Sequence, residues 1–253
     1  IMINRKTPAQ LDLMAAAGQV HARCMKLLAS KIRPGVTTGE LDEAAEKFIR
    51  SQGAVPTFKG FRGFPGSICA SPNSMVVHGI PGPYELKMGD IISIDIGVTL
   101  DGWVADAACT FPVGPIDQET RRMLDVTKES LDLGASKMVP GNRVGDIGNA
   151  VQTHVEAAGF SIIRTLVGHG IGENMHEDPQ IPNYGTPGKG ALIEEGMVFA
   201  IEPMVNVGGP GVYADESDGW SVYSDDGSMA AHFEFTVAAT KDGPRILTPW
   251  DKL

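Results

Sequence analysis

Residues 92–111 constrain the fold most strongly, because they read as a β-hairpin. The stretch is "ISIDIGVTLDGWVADAACTF", in which isoleucines alternate with small or polar residues before Asp101-Gly102. Such alternation is typical of a strand with one buried face, and Asp-Gly is a strong signal for a two-residue hairpin loop. A chain that contains this hairpin must build an antiparallel sheet and cover its apolar face.

Two carboxylates interrupt this otherwise hydrophobic hairpin. With Asp101-Gly102 as the loop, Asp95 lies opposite Ala108, and Asp106 is two residues away from Ala108 on the same strand. Because side chains alternate with a period of two, both carboxylates share one face as diagonal neighbours, about 7–8 Å apart at Cα. Two bare carboxylates so placed repel each other, and one tends to hold a proton. The hairpin therefore indicates either a cation between them or a pair of solvated aspartates.

Helix and strand signals alternate along the rest of the chain. Thr7-Pro8 is typical of a helix start, with Thr7 as the N-cap and Pro8 in the first turn. The order repeats a pattern of two helices and then strands, which predicts an internally duplicated α+β domain. We expect one domain over residues 1–253, with 1–7 as a flexible N-terminus. The predicted elements are a helix from Thr7-Pro8 that ends before Pro34, a helix over 38–52, strands over 67–70, 75–78, 90–98 and 103–111, helices over 117–138 and 144–158, and glycine-rich, strand-like segments to the end.

Charge and cysteine content exclude several classes of protein. The formal net charge of −10 argues against a general nucleic-acid binder. The chain has three cysteines, which form no paired motif: Cys24, Cys69 and Cys109. This odd number favours a reducing compartment over a disulfide framework or a cysteine zinc site. No apolar run is long enough to span a membrane, and residues 1–10 lack the apolar core of a secretory signal. We therefore expect a cytoplasmic protein with no DNA or membrane partner.

Three histidines stand next to glycine in loops. His169 and His176 belong to "GHGIGENMHEDP" (168–179), and His78 belongs to "VVHGIPG" (76–82). Glycine lets the backbone approach a ligand closely, and loops on a rigid scaffold often carry function. The first segment is not the helical zinc-protease motif, because it has no His-Glu-x-x-His. Each histidine is therefore a candidate functional residue, with an ordinary structural role as the alternative.

Two further acids lie within apolar strands. Glu202 interrupts "FAIEPMV" (199–205), and Glu234 alternates with phenylalanines in "AAHFEFTVAAT" (230–240). Carboxylates in such strands are uncommon unless they are paired or bound to a metal, and exposure on an edge strand is the alternative. The four acids and one histidine form an oxygen-rich set without a thiolate. Such a set suits Mn²⁺, Fe²⁺ or Co²⁺, and Zn²⁺ less distinctively.

The order of these five residues resembles that of the type I methionine aminopeptidases, in their bacterial form. The resemblance extends from about residue 8 to residue 249 and includes the motifs quoted above. It implies the pita-bread fold, a pseudo-twofold α+β domain whose two halves, each a helix pair with strands, surround a central antiparallel sheet. Only 31 residues separate Glu202 from Glu234, which leaves no room for the long insertion of the type II enzymes.

The resemblance also implies how the five residues would hold two divalent metal ions. Asp106 and Glu234 would bridge both ions. Asp95 would complete one site, and His169 with Glu202 would complete the other. The ions would be cobalt, manganese, iron or zinc, because the same ligands accept several of them and availability decides which is used.

Catalytic and specificity roles follow from the same resemblance. Glu202 would act as a general base, His176 would steady the carbonyl group of the first peptide bond, and His78 would contact its amide nitrogen. An apolar pocket with soft partners for a thioether would select methionine. Six residues map onto that pocket, with ordinary core packing as the alternative for any one of them: Phe58, Phe61, Phe64, Cys69, Met175 and Trp220.

The implied function is removal of the initiator methionine from new polypeptides whose second residue is small. The partner would be the N-terminus of a nascent chain, at the ribosome, and we expect a monomer. Two alternatives remain: a hydrolase similar to Xaa-Pro aminopeptidases or prolidases, and a non-catalytic binding protein of the same fold.

Several positions depart from the common bacterial pattern of this family. Phe235 stands where many relatives have histidine, and His232 stands where glutamine is frequent. Pro72 lies in the pocket loop, and Asn174-Met175 replaces a more usual Gly-Phe. None of these differences removes a predicted ligand, so they bear on the shape of the pocket and on the rate but not on the class of reaction.

Overall fold

A computed structural model of the chain describes all 253 residues and has the predicted alternation of helices and strands. The helices are α1 (Pro8–Lys31), α2 (Thr38–Ser51), α3 (Gln118–Ser136) and α4 (Val144–Ala157), with a short 3-10 turn at Phe61–Gly63. The strands of the first half are β1 (Val55–Pro56), β2 (Ile68–Pro72), β3 (Met75–Val77), β4 (Ile91–Leu100) and β5 (Trp103–Pro112). Those of the second half are β6 (Ser161–Ile162), β7 (Gly168–Gly170), β8 (Glu177–Ile181), β9 (Val198–Ile201), β10 (Met204–Asn206), β11 (Val212–Ala214), β12 (Val222–Ser224), β13 (Ala230–His232), β14 (Phe235–Thr240) and β15 (Gly243–Ile246).

The first two helices begin at reciprocal caps. The Thr7 side chain accepts a hydrogen bond from the Gln10 backbone N–H, and the Gln10 side chain accepts one from the Thr7 backbone N–H. Thr37 and Glu40 form the same pair of bonds at the start of α2. Each cap satisfies backbone donors that would otherwise have no partner in the first turn. The predicted helix start at Thr7 is confirmed.

The hairpin of β4 and β5 has the predicted register. Asp95 pairs with Ala108, and Leu100 pairs with Trp103 at the closed end. The two loop residues between them, Asp101 and Gly102, both have positive φ angles, 49° and 84°. Such angles at both positions match the right-handed twist of the strands that they join.

A helix pair packs on the strands of each half. In the first half, β4 pairs with β5 along one edge and with β1 and β2 along the other, and α1 packs on β4 and β5. In the second half, the strands follow the order β15-β14-β9-β7-β8, and α3 packs against β14 and β9. Two three-stranded sheets, β13-β10-β6 and β11-β12-β3, complete the domain. All strand pairs are antiparallel.

The two halves meet where β5 lies beside the start of β14. Ala108 and Glu234 exchange backbone hydrogen bonds of 3.4 and 3.0 Å. The Thr236 hydroxyl donates to the Asp106 carbonyl oxygen at 2.6 Å and accepts from the Asp106 N–H at 3.2 Å. These contacts bring Asp106 of the first half next to Glu234 of the second.

The beginning of the chain contacts the body of the domain. Lys6 is buried and its Nζ lies 2.9 Å from Glu177 Oε1, whereas Ile1 and Met2 are exposed. Flexibility of residues 1–7 stays a prediction, although Lys6 is held by this ion pair. None of the helices combines the length and apolar character needed to cross a membrane.

Candidate metal centre

The structure brings all five predicted ligands together at the seam between the halves. Asp95 and Asp106 come from β4 and β5, and His169 comes from β7. Glu202 follows β9 directly, and Glu234 directly precedes β14. The sheet of the first half thus provides two ligands, and strands of the five-stranded sheet of the second half position the other three. Two sheets that meet at one place give the rigid support that a ligand set requires.

His169 offers one ring nitrogen to this place. Its Nδ1–H donates to the Gly170 carbonyl oxygen at 2.9 Å, so that Nε2 is the nitrogen available to bind a metal ion. Nε2 is 3.6 Å from Asp106 Oδ2 and 3.5 Å from Glu202 Oε1. Distances of this size leave space for an ion that three such ligand atoms would share.

Three of the carboxylates at the seam have buried oxygen atoms without hydrogen-bond partners. Asp95 Oδ1, Asp106 Oδ1 and both carboxylate oxygens of Glu234 have none. Burying a charged group without a partner is expensive, so these atoms need a cation that the polypeptide itself does not supply. The residues present fit divalent metal ions. Their ligand atoms fall into two sets, each within 4.8 Å, that share Glu234: Asp95, His232 and Glu234, and Asp106, His169 and Glu234.

Crowding of these groups changes their acidity. Burial raises the pKa of Asp95 and Glu234 well above the ordinary values, and the charge of Asp106 raises both further. Burial opposes ionisation of Asp106 too, but the hydrogen bond and charge of His169 lower its pKa below the ordinary value. Burial disfavours the charged form of His169, yet the Asp106 hydrogen bond and nearby carboxylates raise its pKa to about 9. The protein therefore creates a strong demand for positive charge at this site.

The two remaining candidate histidines flank the cluster. The His176 ring centroid is 4.4 Å from that of His169 and 5.6 Å from that of Phe61. The His78 ring centroid is 6.5 Å from that of Trp220, and the His78 φ of 64° is in the left-handed region. That conformation costs on the order of 1 kcal/mol for a residue other than glycine, and such strain is often found at functional sites. Burial lowers the pKa of both His78 and His176.

A cavity of about 290 Å³ has carboxylates in one part of its wall and apolar side chains in another. All six predicted pocket residues line it: Phe58, Phe61, Phe64, Cys69, Met175 and Trp220. The other lining residues include predicted ligands and both candidate catalytic histidines: Asp95, Asp106, His169, Glu202, His78 and His176. Arg62, which no sequence pattern indicated, also lines the cavity. The ring centroids of Phe64 and Trp220 are 5.0 Å apart in an edge-to-face arrangement. Contact of these side chains with a substrate stays a prediction.

His232 belongs to the cluster, although its position in the sequence did not predict it as a site residue. Its Nε2 is 3.0 Å from Glu202 Oε2 and 3.6 Å from Glu234 Oε2, and its side chain is 2% exposed. The available signal was the spacing from Glu234, because residues two apart on a strand share a face. Glu202 lies 30 positions away, and no local pattern indicates that contact.

Known proteins that are similar to this chain are metallopeptidases. A model described as metallopeptidase family M24 matches residues 12–241. A methionine aminopeptidase of Clostridium perfringens (strain 13 / Type A) is 51% identical over 98% of this chain and 99% of that protein. Methionine aminopeptidase 1 of Bacillus subtilis (strain 168) is also 51% identical, with the same coverage of both chains.

Solved structures agree with these sequence relatives. The methionine aminopeptidase of Rickettsia prowazekii has a TM-score of 0.96 at 40% identity, covering 98% of this chain and all of that one. The prolidase of Pyrococcus furiosus has a TM-score of 0.78 at 21% identity, covering 96% of this chain and 65% of that one. At that identity the second likeness shows the fold alone. The predicted pita-bread fold is confirmed.

Proposed function

Because this chain belongs to metallopeptidase family M24 and matches methionine aminopeptidases over almost its whole length, we propose that it hydrolyses the first peptide bond of a polypeptide and releases methionine. The observation that carries the proposal is the meeting of His169 and buried, unpartnered carboxylates with an apolar cavity. The prolidase-like alternative is not favoured, since prolidases share only the fold with this chain.

We propose that the site holds two divalent ions. Glu234 belongs to both ligand sets, and Asp106 lies between Asp95 and His169 in the cluster, which supports a shared role for Glu234 and Asp106. Divalent ions bound there supply Lewis-acid activation of the water and of the scissile carbonyl group. The mainly oxygen ligands favour Mn²⁺, Fe²⁺ or Co²⁺.

The protein's own side chains are placed to bind and to move protons around the scissile bond. Glu202 faces the cavity with one oxygen near His169 and is the candidate acceptor for the proton of the attacking water. His176 reaches in from the exposed loop before β8 and would donate a hydrogen bond to the scissile carbonyl oxygen. His78 also lines the cavity, beside Trp220, and would contact the scissile amide nitrogen.

Selection of methionine would come from the apolar part of the cavity. Aromatic edges and the Cys69 sulfur line a space that suits a flexible, polarisable thioether. Burial raises the pKa of Cys69 well above the ordinary value, so the thiol stays neutral and apolar. We propose that the second residue of the substrate must be small.

The cellular setting is also part of the proposal. The substrate would be the N-terminus of a newly made polypeptide at the ribosome, and the enzyme would act as a monomer in the cytoplasm. All three cysteines are buried and unpaired, which fits a reducing compartment.

The test is methionine release from Met-Ala-Ser by chelator-stripped protein, before and after addition of Co²⁺ or Mn²⁺. We expect release only after addition of metal. Met-Leu-Ser should be cleaved far more slowly, and an Ala-Pro peptide not at all. Cleavage of the Ala-Pro peptide in preference to Met-Ala-Ser would overturn the proposal, as would metal binding without cleavage of any peptide.

A further inference from the structure

Each oxygen of the Glu202 carboxylate has its own histidine neighbour. Oε1 is 3.5 Å from His169 Nε2, and Oε2 is 3.0 Å from His232 Nε2. Only the second distance is that of a good N–H···O hydrogen bond. The other carboxylate near His232 belongs to Glu234, and its 3.6 Å distance is too long for such a bond.

The Nε2 atom has a different role in His169 and in His232. Nδ1–H of His169 is donated to the Gly170 carbonyl oxygen, which leaves Nε2 as the nitrogen that a metal ion would bind. His232 has no protein hydrogen-bond partner for Nδ1, whereas its Nε2 faces Glu202 Oε2 at hydrogen-bond distance. The His232 proton therefore belongs on Nε2, where it is donated to the carboxylate.

His232 is held firmly enough to orient its partner. Its backbone N–H donates to the Thr110 hydroxyl oxygen, and that hydroxyl donates to the His232 carbonyl oxygen, both at 2.9 Å. Because the single Thr110 hydroxyl proton is used in this way, the Ser93 hydroxyl must be the donor in its 2.8 Å contact with Thr110. On the other side, His232 pairs with Met204 in the strand that follows Glu202.

We infer that His232 is a positioning residue for Glu202: its Nε2–H holds Oε2, so that Oε1 is the oxygen that faces His169 and the metal site. This inference rests on the proposed function, in which Glu202 is both a metal ligand and the proton acceptor. A carboxylate without this restraint can rotate about its terminal torsion, which is soft, and present either oxygen. Restraint of a ligand by a hydrogen bond from behind is worth about 10–100-fold in metal affinity or activity.

Three substitutions separate a hydrogen-bond role from a purely structural one. His232→Gln keeps an N–H donor that is the same number of bonds from Cα as Nε2 of histidine. His232→Asn keeps the amide but shortens its reach, and His232→Leu removes the donor while filling the space. His154→Leu is the matched control, because His154 is a partly exposed histidine on α4 that pairs with Glu129 away from the cluster.

For each variant, kcat and KM for Met-Ala-Ser are measured together with Co²⁺ affinity by calorimetry, the visible spectrum of the Co²⁺ form, and thermal unfolding. We expect His232→Gln to stay within about threefold of the wild type in kcat and Co²⁺ affinity. His232→Asn and His232→Leu should lose about 10–100-fold in both, with KM changed by less than about threefold. His154→Leu should match the wild type.

Two results would overturn the inference. One is wild-type kcat and Co²⁺ affinity in His232→Leu. The other is an equal loss in His232→Gln and His232→Leu with a changed Co²⁺ spectrum in both, which would make the imidazole a metal ligand. If His232→Leu does not fold, the difference between His232→Gln and His232→Asn in kcat and Co²⁺ affinity tests the inference. If the wild type releases no methionine, the proposed function fails, and the Co²⁺ affinities still test the contact.

Discussion

Asp95 and Asp106 are diagonal neighbours on one face of the β4–β5 hairpin, because Asp95 pairs with Ala108 and Asp106 pairs with Gly97. One oxygen of each carboxylate is buried without a hydrogen-bond partner. The hairpin thus directs two carboxylates into the same space, and it contains no donor for their buried oxygen atoms. The compensating charge has to come from a cation.

Asp106→Ala should abolish binding of the metal pair and lower methionine release at least about 100-fold, since it removes the carboxylate between Asp95 and His169. Metal content by atomic emission and circular dichroism of the same sample measure the loss and the retained fold. Asp132→Ala is the control, because Asp132 is an exposed acid on α3. Full activity of Asp106→Ala at saturating Mn²⁺ would refute a shared ligand role.

Gly97→Ala should damage the pocket and spare the metal site. A Cβ at position 97 would lie 2.6 Å from Cε1 of Phe58 and 3.1 Å from Cβ of Thr57, so the Phe58 ring must shift. We expect KM for Met-Ala-Ser to rise about tenfold, or ~1.4 kcal/mol, with unchanged Co²⁺ affinity. Gly82→Ala is the control, because its new Cβ would meet nothing closer than 4.0 Å. An unchanged KM in Gly97→Ala would show that Phe58 does not shape the site.

Lys6→Met should destabilise the fold by about 3–5 kcal/mol, because it leaves a buried carboxylate unpaired. The Lys6 and Glu177 side chains are only 5% and 8% exposed, and their charged atoms are 2.9 Å apart. Adding Glu177→Gln should recover part of the loss in urea unfolding. Arg245→Met breaks an exposed pair with Asp12 and should cost at most about 1 kcal/mol. Purely additive effects of Lys6→Met and Glu177→Gln would argue against the coupling.

His21 should make the stability of the protein depend on pH. It is fully buried, Nε2–H donates to the Ala107 carbonyl oxygen at 2.9 Å, Nδ1 has no partner, and burial lowers its pKa from 6.5 to about 4. The unfolded chain therefore binds the proton more readily, so stability is full above about pH 6.5 and falls as the pH drops toward 4. The loss between about pH 7.5 and pH 5 should be on the order of 2 kcal/mol.

Urea unfolding of metal-free protein at both pH values measures this loss. His21→Gln keeps a donor for Ala107 without a titrating ring, and its stability should change less over the same interval by about that amount. An identical pH dependence in the wild type and in His21→Gln would mean that other groups are responsible.

Local signals in the sequence were sufficient for the hairpin and for the helix starts. The register of Asp95 follows from a two-residue loop and a period of two, and the cap at Thr7 depends on residues three positions apart. The meeting of Asp106 with Glu234 depends instead on contacts between distant segments, and the sequence indicated it only through the family resemblance. The contact between His232 and Glu202 had no local signal, since it joins two residues that are 30 positions apart.

The difference between local signals and contacts of distant segments also explains why the sequence did not define some elements. The short strands of the second half, such as β10 and β13, gain their hydrogen bonds from partners elsewhere in the chain rather than from their own periodicity. Arg62 lies in a 3-10 turn with a φ of 49°, between glycines, where no hydrophobic period exists to be recognised. Its position in the cavity wall follows from the path of that loop alone.

The candidate ligands are divided between the two halves of the molecule, with Asp95 and Asp106 on the first and His169, Glu202 and Glu234 on the second. Neither half folded by itself would contain a complete set. A partly folded chain, or a chain cleaved into separated halves, therefore has no assembled centre with which to hydrolyse a peptide bond. Hydrolytic competence is therefore a property of the completely folded molecule only.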